Sequence, residues 1–297
     1  MGESLAPFSR EGCGRFAPDA NEFATSMNES NPRSSGARDR PGLSPSRGSR
    51  SPDRGRLSYS RRERKVPLAA ARWMNILSCA ERHLPVERFD GVHDLVSIKT
   101  TYLDTADLAI FREYEERKPV RTKVRVRQYG YHGVFDARSW VEIKIKRRLE
   151  SDKRRFCCSA ELLTDLMRGA DLAEHVRGLN SGSDEAVRIF QEAQGLIVGR
   201  GLRPVVRVEY ERMSFQDGSS SEARVTVDRN VRLAPASGTT ATEYEGIILE
   251  IKYRRPAPDS IRRLWTELNV TRSRRFSKFA EAIQAVRLNE SRWRFSA

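Results

Sequence analysis

The sequence predicts an α+β fold built around an antiparallel barrel, and three observations predict it. Strand-like segments recur with a period of two, Val or Ile on one parity and Lys, Arg or Glu on the other, as in Arg121–Tyr129 and Trp140–Lys146. Helical patterns are grouped instead of alternating with each strand, which argues against a doubly wound parallel sheet. Short turns join the strands, the connection that antiparallel neighbours need.

Taken in order, residues 1–57 are rich in Ser, Arg, Pro and Gly and contain no lysine. They lack the apolar periodicity that would offset the entropy of ordering, so a disordered tail is expected. The folded part, 58–297, opens at Glu63-Arg64-Lys65. From Pro67 to His83, Leu68, Ala71, Trp73, Ile76, Leu77 and Ala80 form a helical stripe that Pro85 ends. Val96–Leu103 reads as a strand, and Asp104 or Thr105 caps a short helix reaching about Tyr114. The two cation-bearing strands follow, then a further strand start at Ser151–Cys157. Residues 159 to about 199 turn helical at Ala160–Met167 and Asp184–Leu196, an inserted helical hairpin broken by Gly178-Leu179-Asn180-Ser181-Gly182-Ser183. Strands return at Val205–Arg212, Ala223–Arg229 and Gly246–Tyr253. Helices at Asp259–Leu268 and Ser277–Arg287 close the chain, with Phe276, Phe279, Ala280, Ile283 and Val286 on one face of the second.

Lys and Arg total 54 against 40 acidic residues, a net charge of +14 that points to a polyanionic partner. The tail holds little of this excess, so the basic character belongs to the folded part. The four cysteines form no CxxC pair and read as reduced. No signal sequence is evident, and no apolar run approaches the ~18 residues of a membrane span. A cytoplasmic protein is expected, any membrane role falling to a partner protein. There is no P-loop motif, the four histidines have no metal-site spacing, and an RNP-type aromatic signature is missing, so nucleic acid is not the expected partner.

Half-buried strands ordinarily point charge outward. Here Arg125, Arg127, Lys144, Arg207, Arg224 and Lys252 recur on same-parity columns, with Glu142, Glu209 and Glu250 two residues from a cation. Turned inward, these columns would line a wet basic tunnel with a few carboxylates for a metal, and the apolar parity would face outward under the helices. The pattern alone leaves both orientations open.

The residues resemble a known family. Glu63-x-Lys65, Tyr102-Leu103-Asp104-Thr105, Lys123-Val124-Arg125-Val126-Arg127-Gln128-Tyr129-Gly130, Trp140-Val141-Glu142-Ile143-Lys144 and Ser151-x-Lys153-x-Arg155 appear in the order found in the VTC domain. Arg207-x-Glu209-Tyr210-x-Arg212, Arg224-Val225-x-Val227-Asp228, Leu249-Glu250-Ile251-Lys252 and Arg275-Phe276-Ser277-Lys278-Phe279 continue it. That domain is the catalytic part of polyphosphate polymerases, in the triphosphate tunnel metalloenzyme (CYTH-like) superfamily, and the resemblance covers about residues 60 to 290. It implies an eight-stranded antiparallel tunnel barrel with flanking helices, binding ATP and polyphosphate and working with Mn²⁺ or Mg²⁺. By position, the resemblance assigns phosphate contacts to Lys65, Arg125, Arg127, Lys144, Lys153, Arg207, Arg224 and Lys278, with Lys252 and Arg275 beside them. Arg125, Arg127, Lys144 and Lys278 would be catalytic. Glu250 would hold the metal, with Glu63 and Glu142 as further ligands. Arg275 stands where the family pattern carries a second Lys, and its planar fork is a poor proton donor.

The implied activity is transfer of the ATP γ-phosphoryl group to a growing polyphosphate chain. The alternatives are a tunnel triphosphatase, or a module that binds polyphosphate or nucleotide without turnover.

Overall fold

The computed structural model describes residues 61–89, 91–147, 150–217, 223–270 and 276–294. The expected N-terminal tail and Arg275 lie outside them. Along the chain come β1 (Arg61–Leu68), α1 (Trp73–Glu81), β2 (Val86–Glu87), β3 (Leu95–Asp104), α2 (Ala109–Glu115), β4 (Val120–Tyr131), β5 (Val134–Phe135), β6 (Arg138–Arg147) and β7 (Glu150–Ser159). Then follow α3 (Leu163–Arg168), α4 (Ala173–Leu179), α5 (Asp184–Arg200), β8 (Arg203–Gln216), β9 (Ala223–Pro235), β10 (Thr242–Glu243), β11 (Ile247–Arg254), α6 (Asp259–Leu268) and α7 (Lys278–Arg294).

All ladders are antiparallel, and the main path runs β1-β11-β9-β8-β3-β4-β6-β7, with β2, β5 and β10 attached at its side. This path has the expected eight strands. Among the described residues, however, no ladder joins β1 to β7, so the sheet is an open curl instead of a closed barrel. The curl is tight enough that Glu63 of β1 lies 3.8 Å from Lys144 of β6.

The N-terminal part differs from the sequence expectation. Pro67 and Leu68 belong to β1, and a 3-10 turn at Ala70–Arg72 precedes α1. The ladder from Arg61↔Arg254 to Leu68↔Ile247 draws this segment into the sheet, a long-range pairing that local periodicity does not carry. β1 lies at the end of the strand path, a place where proline is tolerated. Where β11 begins, Gly246 has φ 134°, and a Cβ there would sit 2.5 Å from the Leu68 carbonyl oxygen. Asp104 and Thr105 do act as caps, although the helix starts later than expected. Asp104 accepts from the Ile110 and Phe111 amides at 2.8 and 3.0 Å, and Thr105 Oγ1 accepts from the Ala109 amide at 2.8 Å. The inserted segment holds three helices. Asn180 ends the middle one by pairing with the Cys157 backbone of β7, accepting from its amide and donating to its carbonyl at 2.9 Å each.

Helices cover the outer face of the curl. The α3–α5 group shields Val124, Val141, Ile143 and Phe156 with Leu166, Val176 and Phe190. The α1 and α6 pair covers Val66, Val225, Leu249 and Ile251 with Ile76, Leu77, Ile261 and Leu264. Each such side chain contributes about 1.5–3 kcal/mol when fully buried. At one end α7 packs Phe279 and Ile283 among Val206, Leu233, Tyr102 and Phe111. Among the described residues, no helix is long and apolar enough to cross a membrane.

The β4–β5 hairpin turns through His132 and Gly133, with φ of 51° and 82°, the sign pattern of a type I′ turn. Just before it, a Cβ on Gly130 would lie 1.9 Å from the Val134 carbonyl oxygen. Gly130→Ala should therefore pry the hairpin open and cost about 1–3 kcal/mol in urea or thermal unfolding. Unfolding midpoints equal to wild type would contradict this packing.

Candidate functional site

Register decides which parity points into the curl, because directly opposed residues on neighbouring strands share a face. Arg125 stands opposite Tyr102 on β3 and Glu142 on β6, while Arg127 stands opposite Thr100 and Trp140. Lys144 faces Lys123 on one side and Lys153 on the other. Across the sheet, Lys65 opposes Glu250, Glu63 opposes Lys252, Lys252 opposes Arg224, and Arg212 opposes Asp228. The Glu63–Lys144 contact joins these two wings through the space between them. The charged parity therefore faces inward, and the apolar parity lies under the helices.

Of the residues expected to bind phosphate, Lys65, Arg125, Arg127, Lys144, Lys153, Arg224, Lys252 and Lys278 are brought to this concave face. Arg207 is not. It opposes Thr101, whereas Thr100 shares the face of Arg127, so Arg207 projects to the convex side. There it lies 3.0 Å from Glu209 and donates to the Gly238 carbonyl at 3.2 Å. The reason is a long-range contact: Val206 and Val208 take the inward parity at the end of the channel that α7 fills. Further along the same strand, Tyr210 and Arg212 supply the inward groups, and neither was among the expected site residues. Both lie in the motifs that carry the family resemblance, and the Arg212–Asp228 pairing that marks them emerges from the fold.

Carboxylates organise the cations. Glu142, 1% exposed, is bracketed by Arg125 Nε at 2.5 Å and Lys153 Nζ at 2.6 Å. Asp228 holds Arg212 through bonds of 2.6 and 2.9 Å and also contacts the Lys278 ammonium. Glu250 lies 2.5 Å from Lys252 and 3.7 Å from Lys65, and Lys65 in turn is 2.8 Å from Glu63. Arg224 pairs with Glu87 of β2 at 2.7 Å. Arg127 and Lys123 are among the inward cations that have no carboxylate partner among the described residues. Buried Arg127 donates only to Thr100 Oγ1 and the Tyr210 hydroxyl, at 3.2 and 3.3 Å. Lys123 donates to Ser277 Oγ at 3.0 Å and sits over the Tyr114 and Phe279 rings.

The titrations follow this layout. Burial pushes the Lys123 ammonium down to about 7, helped by Lys65, Lys144 and Arg125. Burial also brings Lys153 to about 7, with Glu142 opposing and Arg125 and Arg127 assisting. Lys153 keeps 41% of its side chain accessible from the channel, so solvent screens it more than Lys123. Burial lowers Lys144 as well, against the attraction of Glu63. Against the upward push of burial, Lys65, Lys252 and Arg212 hold Glu250 well below the usual carboxylate range, and Arg125 and Arg127 do the same for Glu142.

Glu63 and Glu250 flank one ammonium and offer hard oxygen donors, the donor type that Mg²⁺ and Mn²⁺ take. Glu142 offers the same donor type, and in all three carboxylates both oxygens already face cations. A Cys79–His83–Glu267 group lies elsewhere, on the helices of the convex side, and there Glu267 already accepts from Cys79, Arg82 and His83.

A family model described as the VTC domain matches residues 60–287. Vacuolar transporter chaperone complex subunit 4 of Schizosaccharomyces pombe is 25% identical over 173 residues, covering 53% of this chain and 24% of that protein. The subunit 4 of Trypanosoma cruzi is 23% identical over 239 residues, covering 74% of this chain and 28% of that protein. Subunit 2 of the S. pombe complex is 25% identical over 52% of this chain and 23% of that protein. The chain thus spans about a quarter of the curated relatives it matches. Among solved structures, a Bacillus halodurans protein provisionally assigned as an adenylate cyclase aligns with TM-score 0.45 and 11% identity, over 75% of this chain and 98% of that one.

A bound polyanion would raise the depressed lysine pKa values again, so binding above pH 7 requires proton uptake. Affinity for inorganic tripolyphosphate should therefore fall as pH rises from 7 to 9, with proton uptake by Lys123 and Lys153 at pH 8. Calorimetry in two buffers of different ionisation enthalpy measures this uptake, and Lys123→Met should remove the Lys123 share and leave that of Lys153. Uptake unchanged in Lys123→Met would contradict the assignment.

Proposed function

The chain belongs to the VTC domain family, and from that premise we propose that it is a metal-dependent polyphosphate polymerase that moves the γ-phosphoryl group of ATP onto a growing polyphosphate chain. One observation carries the proposal: Arg127, a buried guanidinium, has no carboxylate partner at the centre of an inward face where cations exceed carboxylates. A guanidinium removed from water calls for an anion, and its planar fork suits a phosphate.

In the proposed reaction an oxygen of the chain's terminal phosphate forms a bond to the γ-phosphorus. The bond from that phosphorus to the β–γ bridging oxygen breaks, and ADP leaves with the bond's electron pair. The attacking oxygen is already anionic near neutral pH, so no general base is required. Positioning and charge neutralisation are the main demands of phosphoryl transfer. Arg125, Arg127, Lys144 and Lys278 would meet these demands around the transferred group. Lys65, Lys153, Arg224 and Lys252 would hold the rest of the phosphate chain, and Arg212 joins them by its place beside Asp228. Glu250 and Glu63 would hold the divalent ion, whose chemistry is further neutralisation of phosphate charge. Because the relatives are named as subunits of a complex, protein partners are part of the proposal.

The test is incubation of the purified chain with ATP and Mn²⁺, resolving polyphosphate by gel and orthophosphate by colorimetry. ADP with a ladder supports the polymerase. ADP with stoichiometric orthophosphate and no ladder replaces it with a triphosphatase, and metal-dependent ATP binding without turnover replaces it with a sensor. Glu250→Gln should lose metal-dependent turnover by at least about 100-fold while still binding ATP. Arg127→Ala should weaken ATP binding about 10-fold or more. Wild-type turnover in the first variant would remove the metal assignment.

A further inference from the structure

The inward face changes character along its length. On β4 the inward column reads Lys123, Arg125, Arg127, Tyr129, Tyr131, with steps of about 6.6 Å between neighbours. On β6 the same face passes from Lys144 and Glu142 to Trp140, which opposes Arg127. On β3 it passes from Thr100 to Ile98 and Val96, with Ile98 opposing Tyr129. Past Arg127 the face thus turns aromatic and apolar on β3 and β4, while on β6 Trp140 stands level with Arg127 and is followed by Arg138.

At that level lies a cleft of about 320 Å³, lined by Phe89, Val96, Tyr129, Tyr131 and Trp140, with the β4–β5 hairpin as one wall. The Phe89 and Tyr129 rings lie 6.0 Å apart. The cleft's one carboxylate, Asp136, is held by Arg138 at 3.0 Å. A bare polyphosphate chain gains little from such walls. A planar ring attached to the phosphates gains stacking area, and the volume falls at the lower end of small-ligand sites.

We propose that this cleft seats the nucleobase of the donor nucleotide, so that its phosphates run inward over Arg127 and Arg125. The inference rests on the reading that the cation belt binds phosphates. It makes the donor a nucleoside polyphosphate, recognised at both ends, and it leaves inorganic polyphosphate to occupy only the charged part. Because stacking tolerates any base, ATP and GTP should bind within several-fold of one another.

Calorimetry on the full chain with ATP and with inorganic tripolyphosphate tests it. Phe89→Ala and Tyr131→Ala should each weaken ATP binding about 10-fold, within the range found for loss of one stacking side chain, and leave tripolyphosphate within twofold. Tyr131→Leu keeps apolar bulk without the ring and should reproduce the Tyr131→Ala loss; retained tripolyphosphate binding certifies that each variant is folded. ATP affinity unchanged in Phe89→Ala and Tyr131→Ala, or equal losses for both ligands, would overturn the cleft assignment and leave the cation belt standing. Failure of the wild type to bind tripolyphosphate would sink the phosphate reading itself.

Discussion

Confining many positive charges on one concave face is the constraint on which the rest of the structure depends. Removed from bulk water, the ammonium and guanidinium groups repel one another, and the fold answers with a few deeply placed carboxylates. Glu142 steadies Arg125 and Lys153, Asp228 steadies Arg212 and Lys278, and Glu250 steadies Lys65 and Lys252. This neutralisation is incomplete. Arg127 and Lys123 remain without acidic partners among the described residues, and burial, helped by neighbouring cations, holds the Lys123 pKa down. A site left short of negative charge is set up to take it from a ligand.

The scaffold follows from the same constraint. Once the charged parity is inside, the Val and Ile parity must be covered from outside, and the amphipathic helices do this in two groups over the two wings of the sheet. The C-terminal helix breaks the rule by entering the channel side. Phe279 and Ile283 fill one end with apolar groups, while Lys278 at the same helix start reaches Asp228.

Most strands and the final two helices were legible because they alternate or repeat cleanly over many residues. Orientation was not legible: Arg125 and Arg207 sit in similar Val-flanked runs, yet one points inward and the other outward. The difference comes from α7 filling the channel beside Val206 and Val208, a contact between segments about seventy residues apart. The edge strand β1 was hidden for a similar reason, since its ladder with β11 lies far along the chain. Arg212 and Tyr210 were present in the recognised motifs but were passed over, because side-chain partners such as Asp228 and Arg127 become visible only in three dimensions.

The gap between β1 and the β6–β7 end of the path sets how the two wings meet. A backbone ladder fixes girth in discrete registers, because its bonds can shift only by whole residue pairs. Here the wings meet through Glu63 and Lys144, two partly exposed side chains whose attraction is worth about 1 kcal/mol or less. Such a clasp can lengthen by fractions of an ångström at small cost. The width at this point is therefore set by two side chains, free of the whole-residue steps that a backbone ladder would impose.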